Sequence, residues 1–447
     1  MLSLNLGLGL TKFIPGVVYA LGIISVLFAL FYKRELALIF LVALLPFTNV
    51  LVRLQQFPLG KDYVDIILMA LLIGWIIQSY HKREKFLERT PFDKILIFLV
   101  IYTFIELWFG SLHLGLPITQ RLATWKNYMI LPLLFFLTVN TIKDRKKIKW
   151  IVIIMIIVIF VMGLYFFKDY RWISKEFFRE EKRGIGTFVY LGPNEWGAFH
   201  SSYLFIALCL LLLDKSILRK MLYCLAILFS LYSVLFSYSR GAYSAVIIGL
   251  VFISLTKKRV LLMPLILFLI FWQSLLPPAV VERISLTKTE EGEYDSSSQK
   301  RIGLWETGIA IFSKNPLIGE GFNTMPFVGL GSTGEFADPH NIYVKTLAEQ
   351  GIIGLLVFLS LLFLSLKSGW KLYKNSDDYF LKGLGLGLCI CIVSLMVANC
   401  FGDRWTYLQV GGYFWVFLGL VVRGNIIVQG QIKSKKKNKI NERITSH

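Results

Sequence analysis

The chain is poor in the side chains that most metal and redox chemistry requires. Five cysteines and five histidines are spread over 447 residues. Cys209, Cys224, Cys389, Cys391 and Cys400 all fall inside apolar runs. Cys389 and Cys391 are two apart, so on a helix they point to different sides. All five are expected to be small packing residues, with no disulfide and no metal among them. The histidines are scattered and no Asp-x-Asp motif stands in the segments expected outside the membrane, so no metal and no other cofactor is expected. Strict apolar/polar alternation is missing as well, which excludes a β-barrel. No fixed-period repeat is present, which excludes a solenoid. Acidic residues are scarce, 28 against 48 Lys and Arg, for a net charge of +20.

What the chain has in abundance is long apolar runs. It is 56% hydrophobic and 15% aromatic, with a mean hydropathy of +0.64. A bilayer core of roughly 30 Å takes roughly 20 apolar residues per helix. Stretches of that kind lie near 13–31, 35–50, 63–80, 95–112, 127–142, 149–167, 195–213, 221–237, 242–256, 260–276, 345–366, 383–400 and 406–423. The expected fold is an all-α polytopic membrane protein with about 12 or 13 transmembrane helices. The second stretch is short and is also compatible with a re-entrant hairpin. The first has no small-residue cleavage site after it and reads as a retained helix.

The positive charge sits between the apolar runs: Lys33-Arg34, "HKREK" from His81, "KDRKKIK" from Lys143, "LRK" from Leu218, "KKR" from Lys257 and "KSKKKNK" from Lys433. That placement is the positive-inside pattern, with attraction to anionic membrane lipids, and argues against nucleic acid as a partner. It puts every basic cluster and the C-terminus on the cytoplasmic side. A single transmembrane domain, 1–423, is expected, followed by a basic cytoplasmic tail, 424–447, without fixed structure. Two long loops then face outward, about 168–194 and 277–344. The second carries "RIGLWETGIAIFSKNP", in which Ile302, Trp305, Ile309 and Phe312 recur at helical spacing. A helix along the membrane surface is expected there, stopped by Pro316, with Arg301 in its first turn.

Three residues bear on chemistry. Arg240, in "LFSYSRGAYSAV", interrupts two apolar runs at a tight outer hairpin of small residues. It reads either as a snorkelling arginine or as a guanidinium holding a phosphate by paired hydrogen bonds. Arg301 reads either as a solvated charge or as a second such group. His340, in "DPHNIYVKTLAEQG", follows Asp338 and Pro339, a good N-cap and first helical residue. In the first turn of a helix its pKa would be lowered by the dipole, and a neutral imidazole is a general base. The alternative is a histidine that only caps the helix. The topology puts all three on one face.

Four motifs in register carry a family resemblance. They are "RGIGTFVYLGPNEWGAF" (183–199), "SYSRGAY" (237–243), "RIGLWETGIAIFSKNPLIGEGF" (301–322) and "PHNIYVKTLAEQGIIGLL" (339–356). The chain from about 183 to 420 resembles the O-antigen ligase and polymerase superfamily of bacterial membrane glycosyltransferases, with a GT-C-like helical fold. The first motif departs from the family in reading Gly192-Pro193-Asn194 where Asn-Pro-Asn is commoner. The resemblance implies metal-independent, inverting transfer of a glycan from undecaprenyl diphosphate to an acceptor hydroxyl on a glycan or lipid, at the outer face of the cytoplasmic membrane. It implies that Arg240 and Arg301 bind the diphosphate and that His340 is the base. It also marks Arg183, Asn194 and Asn341 as substrate-binding.

Glu349 lies nine residues beyond His340 and is expected to pack, with Gly351 and Gly354 allowing close approach. His200 is expected to pack inside its helix. A transporter is a second functional class, but the sequence lacks the midplane charges and repeated halves it would need; a scaffold without chemistry is a third. Within the family, the lysine-heavy composition favours a polysaccharide polymerase, with a ligase as the alternative.

Overall fold

The computed structural model describes residues 13–445 apart from 82, 84, 185, 187–190, 258, 287–295 and 329–337. Part of the first motif lies outside the described residues. Among those described, the fold is all helix, with one isolated antiparallel bridge between Gly186 and Leu191. In order the helices are α1 (Ile14–Phe31), α2 (Arg34–Leu44), α3 (Thr48–Leu54), α4 (Tyr63–His81), α5 (Asp93–Leu114), α6 (Ile118–Thr141), α7 (Arg145–Tyr170), α8 (Pro193–Leu213) and α9 (Ile217–Phe236). They continue with α10 (Arg240–Thr256), α11 (Leu262–Leu275), α12 (Pro278–Ser285), α13 (Ser296–Lys314), α14 (Met325–Val328), α15 (Ile342–Asn375), α16 (Tyr379–Asn399) and α17 (Leu408–Thr445).

Ten of the described helices are long and apolar enough to cross a membrane, and two bent pairs bring the number to 12. The protein is a multi-pass membrane protein. All thirteen expected stretches are helical. The second, 35–50, is the pair α2 and α3, bent by 108°, so this short stretch is not one straight helix. The stretch near 260–276 is likewise α11, turned by 105° into α12 at Pro277 and Pro278. The helix expected from 127 begins nine residues earlier, at Ile118, because Pro117 in extended conformation starts it. The apolar windows of α8 and α16 are each 78% buried and that of α17 is 83% buried, against 22% for α1. The centre of the bundle is therefore α8, α16 and α17, and α1 lies at its edge.

The basic clusters meet at one end. Lys149 pairs with Asp378 at 2.8 Å, Lys435 with Asp377 at 3.4 Å, Arg423 with Glu88 at 3.1 Å and Lys147 with Glu35 at 2.7 Å. Lys215 lies over the ring of Tyr379 and Lys257 over that of Tyr373. The tail corrects one expectation. Instead of losing structure after Arg423, α17 stays helical to Thr445. Its first part still packs, since Asn425 Nδ2 donates to the Ser368 carbonyl at 2.8 Å and Val428 is buried. The lysines and glutamines beyond it are good helix formers.

α15 is broken at Gly351, whose φ of 61° and ψ of −164° leave the helix. The chain after α13 fills the break. Ile352 and Ile353 N–H groups donate to Pro316 and Leu317 carbonyls, at 2.9 and 3.3 Å. Glu320 and Gly321 N–H groups donate back to Ala348 and Glu349 carbonyls, at 3.0 and 2.7 Å. The Glu349 carboxylate accepts from the Met325 N–H at 3.1 Å, a packing role of the kind its sequence position implied. A β-carbon on Gly351 would lie 2.3 Å from the Leu317 carbonyl oxygen. Gly351→Ala is therefore expected to destabilise the fold by at least 1–3 kcal/mol, on the order of one strained backbone site, read as a lower melting temperature in detergent; an unchanged melting temperature would contradict the break as described.

Candidate active site

At the end of the bundle away from the basic clusters, two cavities meet. The smaller is lined by Asn194, Ser239, Arg240, Arg283, Arg301 and Arg404, among others. Its walls are built from two helix N-termini. Arg240 is the first residue of α10 after the N-cap Ser239, and Asn194 is the second of α8 after the N-cap Gly192. The positive ends of two helix dipoles are thus added to four guanidiniums. Together they give this place a positive potential. The small residues around Arg240 make the close approach possible. A β-carbon on Gly241 would lie 2.9 Å from Phe401, and one on Gly197 2.8 Å from Ser237 Oγ. Tyr238, two residues before Arg240, holds a left-handed φ of 51°, and its carbonyl accepts from Arg283 Nε at 3.3 Å.

The larger cavity, about 800 Å³, is lined by His340, Asp338, Glu195, Asp403, Lys345 and Arg404 on this side. Arg404 faces both cavities. Its guanidinium is held by an ion pair with Glu195 and by the Phe401 carbonyl at 3.2 Å, and the Arg404 backbone N–H donates to Asn399 Oδ1 at 2.9 Å. Arg240 and Arg301 therefore share one cavity, and His340 opens into the neighbouring one across Arg404.

His340 is not in the first turn of α15, as its sequence context implied. The N-cap is Asn341, whose Oδ1 accepts from Tyr343 and Val344 N–H groups at 3.0 and 3.3 Å. Asp338 caps nothing of the helix; it accepts the His340 N–H at 2.7 Å. The reason is the backbone of His340, whose left-handed φ of 49° turns the chain before the helix can start. Trp305 Nε1 donates to the Pro339 carbonyl at 2.8 Å, which ties this turn to α13 one helical turn from Arg301. α13 itself starts at Ser296, so Arg301 is in its second turn rather than its first. It ends at Lys314, before Pro316. It packs on α15 through Gly308 and the buried Ile311, leaving Ile302 and Ile309 exposed.

The pKa of His340 is lowered, but not by the helix dipole. The side chain keeps 52% of its surface, yet it faces into the chamber, and this enclosure is the main cause. Asp338 opposes it, Arg404 and Arg301 add to it, and Glu195 opposes it again. The nearest carboxylate oxygen, Asp338 Oδ1, is 4.0 Å from Nδ1. The net effect keeps the imidazole neutral at neutral pH.

Arg183 stands behind the arginine cavity. Its Nη2 donates to Asn194 Oδ1 at 2.8 Å and its Nη1 to Glu180 at 2.7 Å. Arg183 and Asn194, singled out separately in the sequence, thus form one unit. Sequence reasoning missed Arg283, Lys345, Glu195, Asp403 and Arg404. For the last two a signal existed: Asp403 and Arg404 are the only charged residues between Gly383 and Val422. Lys345 bridges Asp403 at 2.9 Å and Asp338 at 3.5 Å, and burial raises the Asp403 pKa less than Lys345 and Thr406 lower it.

Residues 225–359 match the protein-family model described as O-Antigen ligase. This stretch of the chain is similar to an O-antigen ligase domain. The matched segment contains Arg240, Arg301 and His340 and three of the four motifs, and the first motif lies before it. An O-antigen ligase of Pseudomonas aeruginosa is 30% identical over 93 residues. That alignment covers 20% of this chain, which spans under a quarter (23%) of the relative's length. The resemblance read from the motifs is thereby supported by comparison as well.

The charge environment of His340 can be measured without knowing a substrate. Its modification rate by diethyl pyrocarbonate, followed by mass spectrometry against pH, is expected to titrate below the ordinary value of about 6.5. Asp338→Asn keeps an acceptor for the His340 N–H but removes the charge that raises the pKa, so the midpoint is expected to fall further. Arg404→Gln is expected to raise it. A midpoint that ignores both changes would refute the electrostatic account.

Proposed function

We propose that the protein is a glycosyltransferase of the cytoplasmic membrane. It moves a glycan from undecaprenyl diphosphate to an acceptor hydroxyl on the extracytoplasmic side, with inversion and without a metal. The observation that carries this reading is the pair of cavities joined at Arg404, one walled by guanidiniums and helix N-termini, the other holding a neutral imidazole. The outward placement follows from the positive-inside rule, because the basic clusters gather at the opposite end of the bundle.

In this reading Arg240, Arg301, Arg283 and Arg404 hold the diphosphate. Negative charge grows on its bridging oxygen as the bond to the anomeric carbon lengthens. Fixed guanidiniums in a partly enclosed site stabilise that charge without reorganising. The imidazole of His340 takes the proton from the acceptor hydroxyl as its oxygen forms the new bond at the opposite face of the anomeric carbon. Undecaprenyl diphosphate leaves with the electron pair. Arg183 positions Asn194 in the cavity wall, and Asn341 fixes the start of α15 behind the base.

The lysine-rich composition favours a polymerase, which extends another lipid-linked glycan. The description of the matched family favours a ligase, which delivers the glycan to a different acceptor. Purified protein given a synthetic undecaprenyl-diphosphate glycan, with products sized by mass, separates them: a ladder means polymerase, one-step transfer to a distinct acceptor means ligase. His340→Ala is expected to lower turnover by roughly 10²- to 10⁴-fold, the usual worth of a general base, in protein that still inserts and elutes as a single species. Full activity in that variant would overturn the assignment. In the wild type the rate is expected to fall as pH drops through the lowered pKa of His340, because the protonated ring cannot accept a proton.

A further inference from the structure

The geometry assigns the 800 Å³ chamber beside His340 to the acceptor: we propose that it is a subsite for an uncharged, hydroxyl-rich saccharide, with Asp65, Lys126, Asn127 and Tyr407 as its recognition wall. This rests on the transferase reading above. The base has to touch the acceptor hydroxyl, not the donor phosphate. His340 opens into this chamber, and the arginine cavity lies on the other side of Arg404. The two substrates therefore approach the reacting centre from opposite sides of one guanidinium.

The lining says what the occupant is. Of the lining residues only Val64, Ile130 and Leu408 are wholly apolar, so the polar groups among the rest favour an occupant with many hydrogen-bonding groups over a polyprenyl chain. Its charges are largely paired with each other. Lys126 pairs with Asp65, Lys345 with Asp403 and Asp338, and Arg404 with Glu195. A lining neutralised in this way sets no demand for a charged ligand. It does offer carboxylates and ammonium groups side by side, and a pair of neighbouring hydroxyls can donate to one and accept from the other. The ring of Tyr407, 40% exposed at the chamber, supplies an apolar face of the kind a sugar ring presents. The volume lies within the roughly 300–1,000 Å³ of small-molecule sites.

The wall is drawn from elements that carry none of the family motifs. Asp65 is in the first turn of α4, Lys126 and Asn127 are on α6, and Tyr407 precedes α17. The donor side is built from α8, α10, α12, α13 and the turn carrying Arg404, so Asp65, Lys126 and Asn127 can vary without touching the diphosphate wall.

The test is full-length protein in detergent with a synthetic undecaprenyl-diphosphate trisaccharide as donor. A detergent extract of the producing cell's own membranes is titrated as acceptor. Asp65→Asn, Lys126→Met and Tyr407→Ala are each expected to raise the acceptor KM about tenfold, the worth of one charge-assisted hydrogen bond or comparable contact, with the donor KM unmoved. Asn127→Leu, on the same wall and without charge, replaces any variant that does not elute as a single species. A donor KM that rises in step with the acceptor KM, or an acceptor KM that does not move, would overturn this inference alone. No transfer by the wild-type protein at all would overturn the transferase reading, and this inference with it.

Discussion

The backbone hydrogen bonds that seat residues 316–321 in the break of α15 set the geometry of everything at this end of the bundle. A transmembrane helix cannot leave N–H and C=O groups unpaired in an apolar surrounding. The break at Gly351 frees such groups, and the loop after α13 supplies their partners. The loop thereby fixes the end of α13 against α15. α13 carries Arg301, and its Trp305 holds the Pro339 carbonyl, so the turn bearing His340 is fixed by the same docking. One backbone requirement thus places a guanidinium and an imidazole relative to each other.

Burying so much charge has its own constraint. A buried guanidinium without a partner costs several kcal/mol. Arg404 meets the requirement through Glu195, Arg283 through the Tyr238 carbonyl and Glu180, and Arg183 through Asn194 and Glu180. These partners leave the cavity wall ordered before any ligand arrives. Preorganisation of that kind is what makes fixed charge effective against charge that develops in a reaction. Two left-handed residues, Tyr238 and His340, stand next to the cavity, which is where strained backbone tends to be retained.

Much of the fold was legible in the sequence. Thirteen apolar stretches became helices because a membrane leaves an apolar segment of that length no other satisfied conformation. What was not legible concerns ends and partners. Asp338-Pro339 is a sound helix start, but the chain turns at His340 and Asn341 caps instead. Local capping preference was overridden by the docking of this turn onto Trp305. The tail of α17 was read as unstructured from its charge, whereas the helix runs on to Thr445, packed on the bundle at Asn425 and Val428. The apolar stripe of α13 was visible, but it does not face α15; a glycine at 308 lets that helix approach closely on a different face.

Arg240, Arg301 and His340 were legible as a set because each stands in a hairpin or loop between apolar runs, and charge bias alone assigns those loops to one side. That much the amino-acid order determines through the cost of charge in lipid. Arg283 and Arg404 lie in such segments too, Arg404 between two apolar runs, but nothing local ties them to the cavity. They enter the cavity only because α12 folds back from α11, and because the turn between α16 and α17 drops between α8 and α15. The division into an arginine cavity and a polar chamber, with one guanidinium shared between them, is likewise a product of packing. It depends on which helices lie side by side, and long-range contacts of that kind are set by the fit of side chains across the bundle rather than by any local run of residues.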